Sequence, residues 1–187
     1  SKMNSSNTIY CLWPSDGYRQ IVINDTTAVT IAKTLNRRSL ASEWCTPVVH
    51  TVDVGDKKRL LPDIAILNTG GLAVSREFQD QIFGKVSQDI ELLPMEVDGT
   101  SWSVVNCLSI AKGVDAESSQ LMRSLDGEIY LILSIVLVGK RIENNALFTI
   151  DGSNHMQILS SAAFRDRVLS TKARGIRFDK IGFYTEA

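Results

Sequence analysis

Four carboxylates share one polar stretch: Asp115, Glu117, Asp126 and Glu128 stand between the apolar runs Trp102–Ile110 and Ile129–Val138. A pair of carboxyl groups can divide the work of general acid and general base when their surroundings push their pKa values apart. No catalytic motif lies beside these four, and charged side chains in a polar connection are mostly solvated. Their other use is recognition, because an acidic patch complements a basic partner and speeds encounter with it. The four are therefore the candidate partner-binding residues. An enzyme or small-ligand-binding protein with a carboxylate site is the alternative.

Cys45 and His50 are the nearest approach to a nucleophile and its base, but such a pair is defined by geometry in space, and most buried cysteines act as small hydrophobes. Trp44 and Cys45 read as a core edge. With His50 and His155 the only histidines and no Cys-x-x-Cys spacing, a locally spaced zinc site cannot be built, which leaves only a metal held by distant carboxylates. No phosphate loop, dinucleotide fingerprint or nucleophile elbow occurs. The expectation is no catalytic, cofactor-binding or metal-binding residue, and no cofactor. Arg165, Arg167, Lys172 and Arg174 form a basic face opposite the Phe164 and Val168 stripe, which reads as a solvated helix face.

Lys and Arg number 20 against 21 Asp and Glu in 187 residues, so no broad positive field draws the chain to nucleic acid or an anionic membrane. The 44 % hydrophobic content suffices for a core without disulfides. Cys11, Cys45 and Cys107, odd in number and widely spaced, point to reduced thiols and a cytoplasmic setting. The polar start, Ser1 to Ser6, lacks the apolar centre of a secretion signal, and Ser1 and Lys2 read as additions before a native Met3. Ile129 to Val138 is half the roughly 20 residues that a spanning helix needs, and reads as a buried strand.

The elements that would carry these residues follow from periodicity and turn signals. Thr8 to Trp13 and Gln20 to Ile23 suggest a hairpin around Pro14-Ser15-Asp16-Gly17. Asp25 offers a cap for a helix through Ala28, Ile31, Ala32 and Leu35 that ends near Arg37-Arg38. Val48 to Val54 reads as a strand, and Ile64 to Leu67 and Leu72 to Val74 as two more around a glycine turn. Ser75 caps a helix bearing Phe78, Ile82 and Val86, which returns as strand Ile90 to Val97. The polar stretch before Ile129 has room for a helical turn. Strands Leu147 to Ile150 and Met156 to Leu159, a helix after Ser161 and strand Gly175 to Ile181 complete the chain.

An offset of 86 superposes the segment around Ser75 on the one around Ser161. Leu72 meets Ile158, Ser75 meets Ser161, Phe78 meets Phe164, Asp80 meets Asp166, Ile82 meets Val168, Ile90 meets Ile176 and Leu92 meets Phe178. The expected fold is α+β: a central mixed or antiparallel sheet with helices packed on it, containing a duplicated strand-helix-strand unit, with Val104 to Ile110 and Ile129 to Val138 as interior strands. Residues 1–187 read as a single domain, divided into a hairpin-helix-strand region over 1–58 and the duplicated-unit region over 59–187.

The tail carries a pattern: Ala146-Leu147-Phe148-Thr149-Ile150, then Ile158-Leu159-Ser160-Ser161, then Gly175-Ile176-Arg177-Phe178. It resembles the C-terminal half of the immunity proteins of bacterial polymorphic toxin systems, a group also described as a domain of unknown function. The Trp102 strand, Asp115 to Ser119 and Pro62-Asp63 to Val74-Ser75 are similar in order and spacing, so the resemblance spans about residues 60 to 182. It implies a non-enzymatic cytoplasmic protein that binds and neutralises a cognate toxin or effector domain. It carries over no catalytic residue; the charge balance points to no nucleic-acid or membrane partner, and the oligomeric state is left open between a monomer and a homodimer.

Overall fold

The computed structural model describes residues 7–84, 89–139 and 147–185, with the backbone alone at 25–27. The side chains of Asp25 and Val86, Ala146 and the polar start lie outside the described residues. In chain order the elements are β1 (Thr8–Pro14), β2 (Gln20–Ile21), α1 (Asp25–Thr34), β3 (Val48–Val49), β4 (Thr51–Val52), β5 (Ile64–Ile66), β6 (Leu72–Ser75), α2 (Arg76–Phe83), β7 (Ile90–Val97), β8 (Thr100–Cys107), β9 (Ile110–Ala111), β10 (Gln120–Arg123), β11 (Ile129–Val138), β12 (Leu147–Ile150), β13 (Leu159–Ser161), α3 (Ala162–Thr171) and β14 (Ile176–Thr185).

The architecture corrects the expected one. Strands make up 44 % and three short helices 16 %, and the strands form two curled half-barrel sheets, so this is a β-rich fold and not a central sheet with helices packed on it. One sheet has the order β3-β7-β8-β6-β5 and the other β10-β11-β14-β1-β13-β12-β9, with β2 and β4 as a separate ribbon. The two strand-helix-strand segments fall into different sheets: β6-α2-β7 into the first, β13-α3-β14 into the second.

Within those sheets, five strands follow the same plan. β3-β7-β8-β6-β5 and β11-β14-β1-β13-β12 both run parallel at the first pair and antiparallel at the other three. Registers agree as well. Leu92 faces Val105 and Pro94 faces Ser103, while Phe178 faces Leu12 and Lys180 faces Tyr10. Val48 faces Glu96, and Ile135 faces Gly182. The middle strand of the five in the first sheet is β8, next in sequence after β7. That of the second is β1, from the opposite end of the chain.

Three cores follow from this plan. Leu72, Phe78, Ile82 and Ile90 meet their offset equivalents Ile158, Phe164, Val168 and Ile176 in one central core between the sheets, where α2 and α3 pack. Phe83 and Phe164 rings lie 5.8 Å apart there. The opposite face of the first sheet, with Met95, Trp102 and Val104, is covered by Ile31 and Leu35 of α1 and its following loop. The curl of the second closes on Ile9, Cys11, Ile135, Phe148 and Ile181. Adjacent Val104 and Val105 thus enter different cores, which is why β8 is buried on both faces from Trp102 onward instead of on alternate residues.

Several local expectations change for the same reason. β1 and β2 do not form a hairpin, because β1 pairs with β13 and β14 and β2 with β4. α1 ends at Thr34, with Asn24 at its N-cap. Ser161 caps α3 by accepting the Phe164 N–H at 3.2 Å, whereas Ser75, at the same place before α2, makes no such bond. The polar stretch before Ile129 holds β10, hairpinned to β11. Ile129–Val138 is an interior strand, between β10 and β14, but it is not buried throughout, since Tyr130, Leu133 and Val138 are exposed.

Candidate functional site

The β10–β11 hairpin sets the positions of the four carboxylates. Asp115 precedes β10 and is held beside the far half of β11, its N–H donating to the Val136 carbonyl at 2.9 Å. Its carboxylate accepts the N–H groups of Glu117 and Ser118 at 3.1 and 3.3 Å. Asp126 and Glu128 lie at the hairpin tip, where Asp126 accepts from the Ser124 hydroxyl and the Glu128 N–H. The Ser124 hydrogen bond holds the Asp126 carboxyl below the ordinary range of 3.8. Seven residues of β11 separate the two groups, roughly 23 Å at the rise of a strand. Glu117, Asp126 and Glu128 are exposed. The four therefore rim a hairpin and do not converge on one reacting atom.

Between those acidic ends lies apolar surface. Met122 faces Leu131 across the hairpin, and Val136 faces Phe183 on β14. Tyr130, Leu133 and Phe183 are 46 %, 54 % and 49 % exposed, and Met122 and Leu125 are exposed too. Scattered apolar residues are ordinary on a surface, but several on neighbouring strands with charge at the ends have the composition of an interface: aromatic anchors and a polar rim. The sequence pointed to the acids and missed the apolar residues between them. The signal available was the spacing of Tyr130 and Leu133 within a run that reads as uniformly buried.

The remaining candidates disperse. His50 Nδ1 lies 3.1 Å from the Asp98 carboxylate on the β7–β8 turn, while Cys45 is exposed, and no hydrogen bond joins them among the described residues. Trp44 packs at the edge of the core of the first sheet, whereas exposed Cys45 corrects the core-edge reading at its own position. Cys11 and Cys107 are buried, and burial pushes their thiols to about 11 and about 12, so both stay protonated and unreactive. Of the basic face, Arg165 lies over the Tyr10 ring, Arg167 donates to the Ile82 carbonyl, Arg174 pairs with Asp63, and Lys172 ends α3 in a left-handed conformation. No group of metal-ligating residues occurs among the described residues.

A cavity of about 330 Å³ opens between the β1–β2 turn and β5. Part of its polar lining is taken up by the protein itself. Arg19 donates to the Thr51 carbonyl at 3.0 Å and Arg59 to that of Val54 at 3.1 Å. The Asn68 amide bonds both the N–H and the carbonyl of Ile23 at 3.0 Å.

A buried polar network also escaped the sequence reading. Asn36, just past α1 at φ 64°, accepts the Cys107 N–H at 2.9 Å and donates to the His155 carbonyl at 3.1 Å. Asn106 accepts the Asn36 N–H at 2.7 Å and donates to Glu91 and to the Arg38 carbonyl. Glu91 in turn accepts the Leu40 N–H and the Ser39 hydroxyl. These links tie the loop after α1 to both sheets. They serve structure, with both asparagines about fully buried.

His155 adjoins this network, sharing a 2.7 Å hydrogen bond with the Thr149 hydroxyl. Burial, aided by Arg37, lowers its pKa from 6.5, against the opposite pull of Asp151 and Glu128. The unfolded chain then binds the proton more readily, so the stability from neutral His155 is complete above pH 6.5 and falls as the pH drops through that value. Melting temperature is expected to fall between about pH 7.5 and about pH 5.5, and to fall less in His155→Asn. Equal slopes for the two proteins count against this assignment. Glu91 and Asp98, whose pKa values are lowered, lose their contributions further down, below 4.5 and 3.8.

No family model and no curated protein matches this chain. Among the described residues no helix is long and apolar enough to cross a membrane. The functional reading therefore rests on the hairpin surface and on the tail pattern.

Proposed function

We propose that the chain is an immunity protein: it binds a cognate toxin or effector domain in the cytoplasm and blocks it without chemistry of its own. The carrying observation is the hairpin surface, where exposed Tyr130 and Leu133 lie between acidic ends formed by Asp115 with Glu117 and Asp126 with Glu128, and exposed Phe183 lies on the neighbouring strand level with the Asp115 end. The partner that fits is a protein domain with a basic rim around an apolar depression. Such an arrangement places binding energy in a few desolvated aromatic and aliphatic anchors, while the charges set encounter rate and register. The tail residues Leu147–Ile150, Ile158–Ser161 and Gly175–Phe178 support the same reading through their resemblance to this group.

The test is co-expression with the toxin domain encoded immediately upstream. Growth is expected to recover and the two proteins to co-purify; absence of both rescue and complex rejects the proposal. Tyr130→Ala with Phe183→Ala is expected to weaken the complex by roughly a hundredfold with the melting temperature little changed, as for two anchors of about 1.4 kcal/mol each. Glu117→Lys with Asp126→Lys is expected to slow association and to flatten its dependence on salt. An unchanged affinity in the first variant moves the contact off this surface.

A further inference from the structure

We infer that the chain pairs with a second copy of itself, two β14 strands meeting antiparallel along Ile176–Lys180. β14 has β1 on one side along nearly its whole length, but β11 on the other only from Gly182 to Thr185. Before Ile135, β11 bends away. There Ile129 bridges Ser153, and the Ile132 N–H and carbonyl are taken by the Gln157 side chain at 2.9 and 3.0 Å. From Ile176 to Ile181, no strand among the described residues lies along that side of β14.

The register determines which groups face the gap. The Ser15 N–H donates to the Gly175 carbonyl, so positions 175, 177 and 179 turn their main-chain groups toward β1, while Ile176, Phe178 and Lys180 turn theirs outward. That edge is self-complementary. A two-fold axis at Phe178 sets Phe178 against its copy and Ile176 against Lys180 of the second copy, and each such pair can exchange two hydrogen bonds. The same register puts Arg177 opposite Asp179 of the second copy, twice. Within one chain these side chains already attract, Arg177 Nε lying 3.2 Å from the Asp179 carboxylate, and both are about half exposed. Opposite charges directly across two strands favour pairing.

The first sheet shows the same edge covered. On β7, Trp44 Nε1 donates to the Pro94 carbonyl at 2.8 Å, the Glu96 N–H donates to Pro47, and Glu91 accepts from Ser39 and Leu40. Lys180 is the offset equivalent of Pro94, and it brings an outward N–H that proline lacks. No described segment takes the place of the loop over β7. An exposed, unprotected edge of this kind is a template for another strand. The stretch is short, so the pair is concentration-dependent.

Sedimentation velocity on the full chain from about 5 to about 500 µM is expected to show the mass rising from monomer toward dimer, as for an interface below about 1,000 Å². Lys180→Pro, which puts into β14 the residue β7 already holds, is expected to stay monomeric throughout with the melting temperature of the parent. Arg177→Asp and Asp179→Arg are each expected to be monomeric alone, because like charges then face across the strands. Mixing the two restores opposite charges between copies, and the dimer returns. A parent chain that is monomeric throughout the range overturns the inference, and so does a mixture that stays monomeric. The outcome is independent of the immunity reading, since neither the toxin nor the exposed anchors enters the test.

Discussion

Phe164→Ala is expected to lose about 3–5 kcal/mol of unfolding free energy, measured by urea or guanidinium denaturation. Phe164 is 2 % exposed and touches both halves of the central core, its ring centroid 5.8 Å from that of Phe83 on α2 and 6.3 Å from that of Phe178 on β14. The close pairing of α2 and α3 at this point leaves little room for either helix to collapse into the vacated space. A cavity therefore persists, and cavity and transfer losses add. Domains are usually stable by about 5–15 kcal/mol, so a chain at the lower end would be partly unfolded at room temperature. Its offset equivalent Phe78 is only partly buried, and Phe78→Ala is expected to cost clearly less. Equal losses would mean that the central core does not depend on Phe164 as its geometry requires.

Asn36→Leu is the second large loss, about 3–5 kcal/mol from three additive causes. The Cys107 N–H and the His155 carbonyl are left buried without their partner, and a leucine at φ 64° is strained where asparagine is tolerated. Asn36→Gly separates these causes, because it relieves the strain and keeps only the unmet hydrogen bonds. It is expected to fall between the parent and Asn36→Leu. A Leu variant within about 1 kcal/mol of the parent would show that the network contributes little.

The contrast between these two residues shows what sequence conveys. Phe164 was visible at once, because the helix face it shares with Val168 repeats locally and matches Phe78 and Ile82 at a fixed offset. Asn36 was not, because its partners Cys107 and His155 are brought to it by both sheets and no local pattern marks such a bond. The fold error has the same origin. Both strand-helix-strand segments were found, but hydrophobic pattern does not say which distant strand completes each sheet, and β1 was assigned to its neighbour β2 instead of to β13 and β14. At the surface, charge marked Asp115, Glu117, Asp126 and Glu128, while apolar run length hid Tyr130 and Leu133, since an edge hairpin leaves exposed one face that an interior strand would bury.

The position of β1 between β13 and β14 bears on the order of events during synthesis. Residues 48–107, which hold every strand of the first sheet, emerge from the ribosome in one contiguous block and can pair soon after release. β1 precedes the other described strands, and it waits for Leu159–Ser161 and Ile176–Thr185 before either of its edges is covered. Closing a contact over about 150 residues is slow and leaves an apolar strand, with Ile9, Cys11 and Leu12, unpaired while the residues between are made. The nascent chain is thus most vulnerable to aggregation at β1, and the strands that protect it are made long after it.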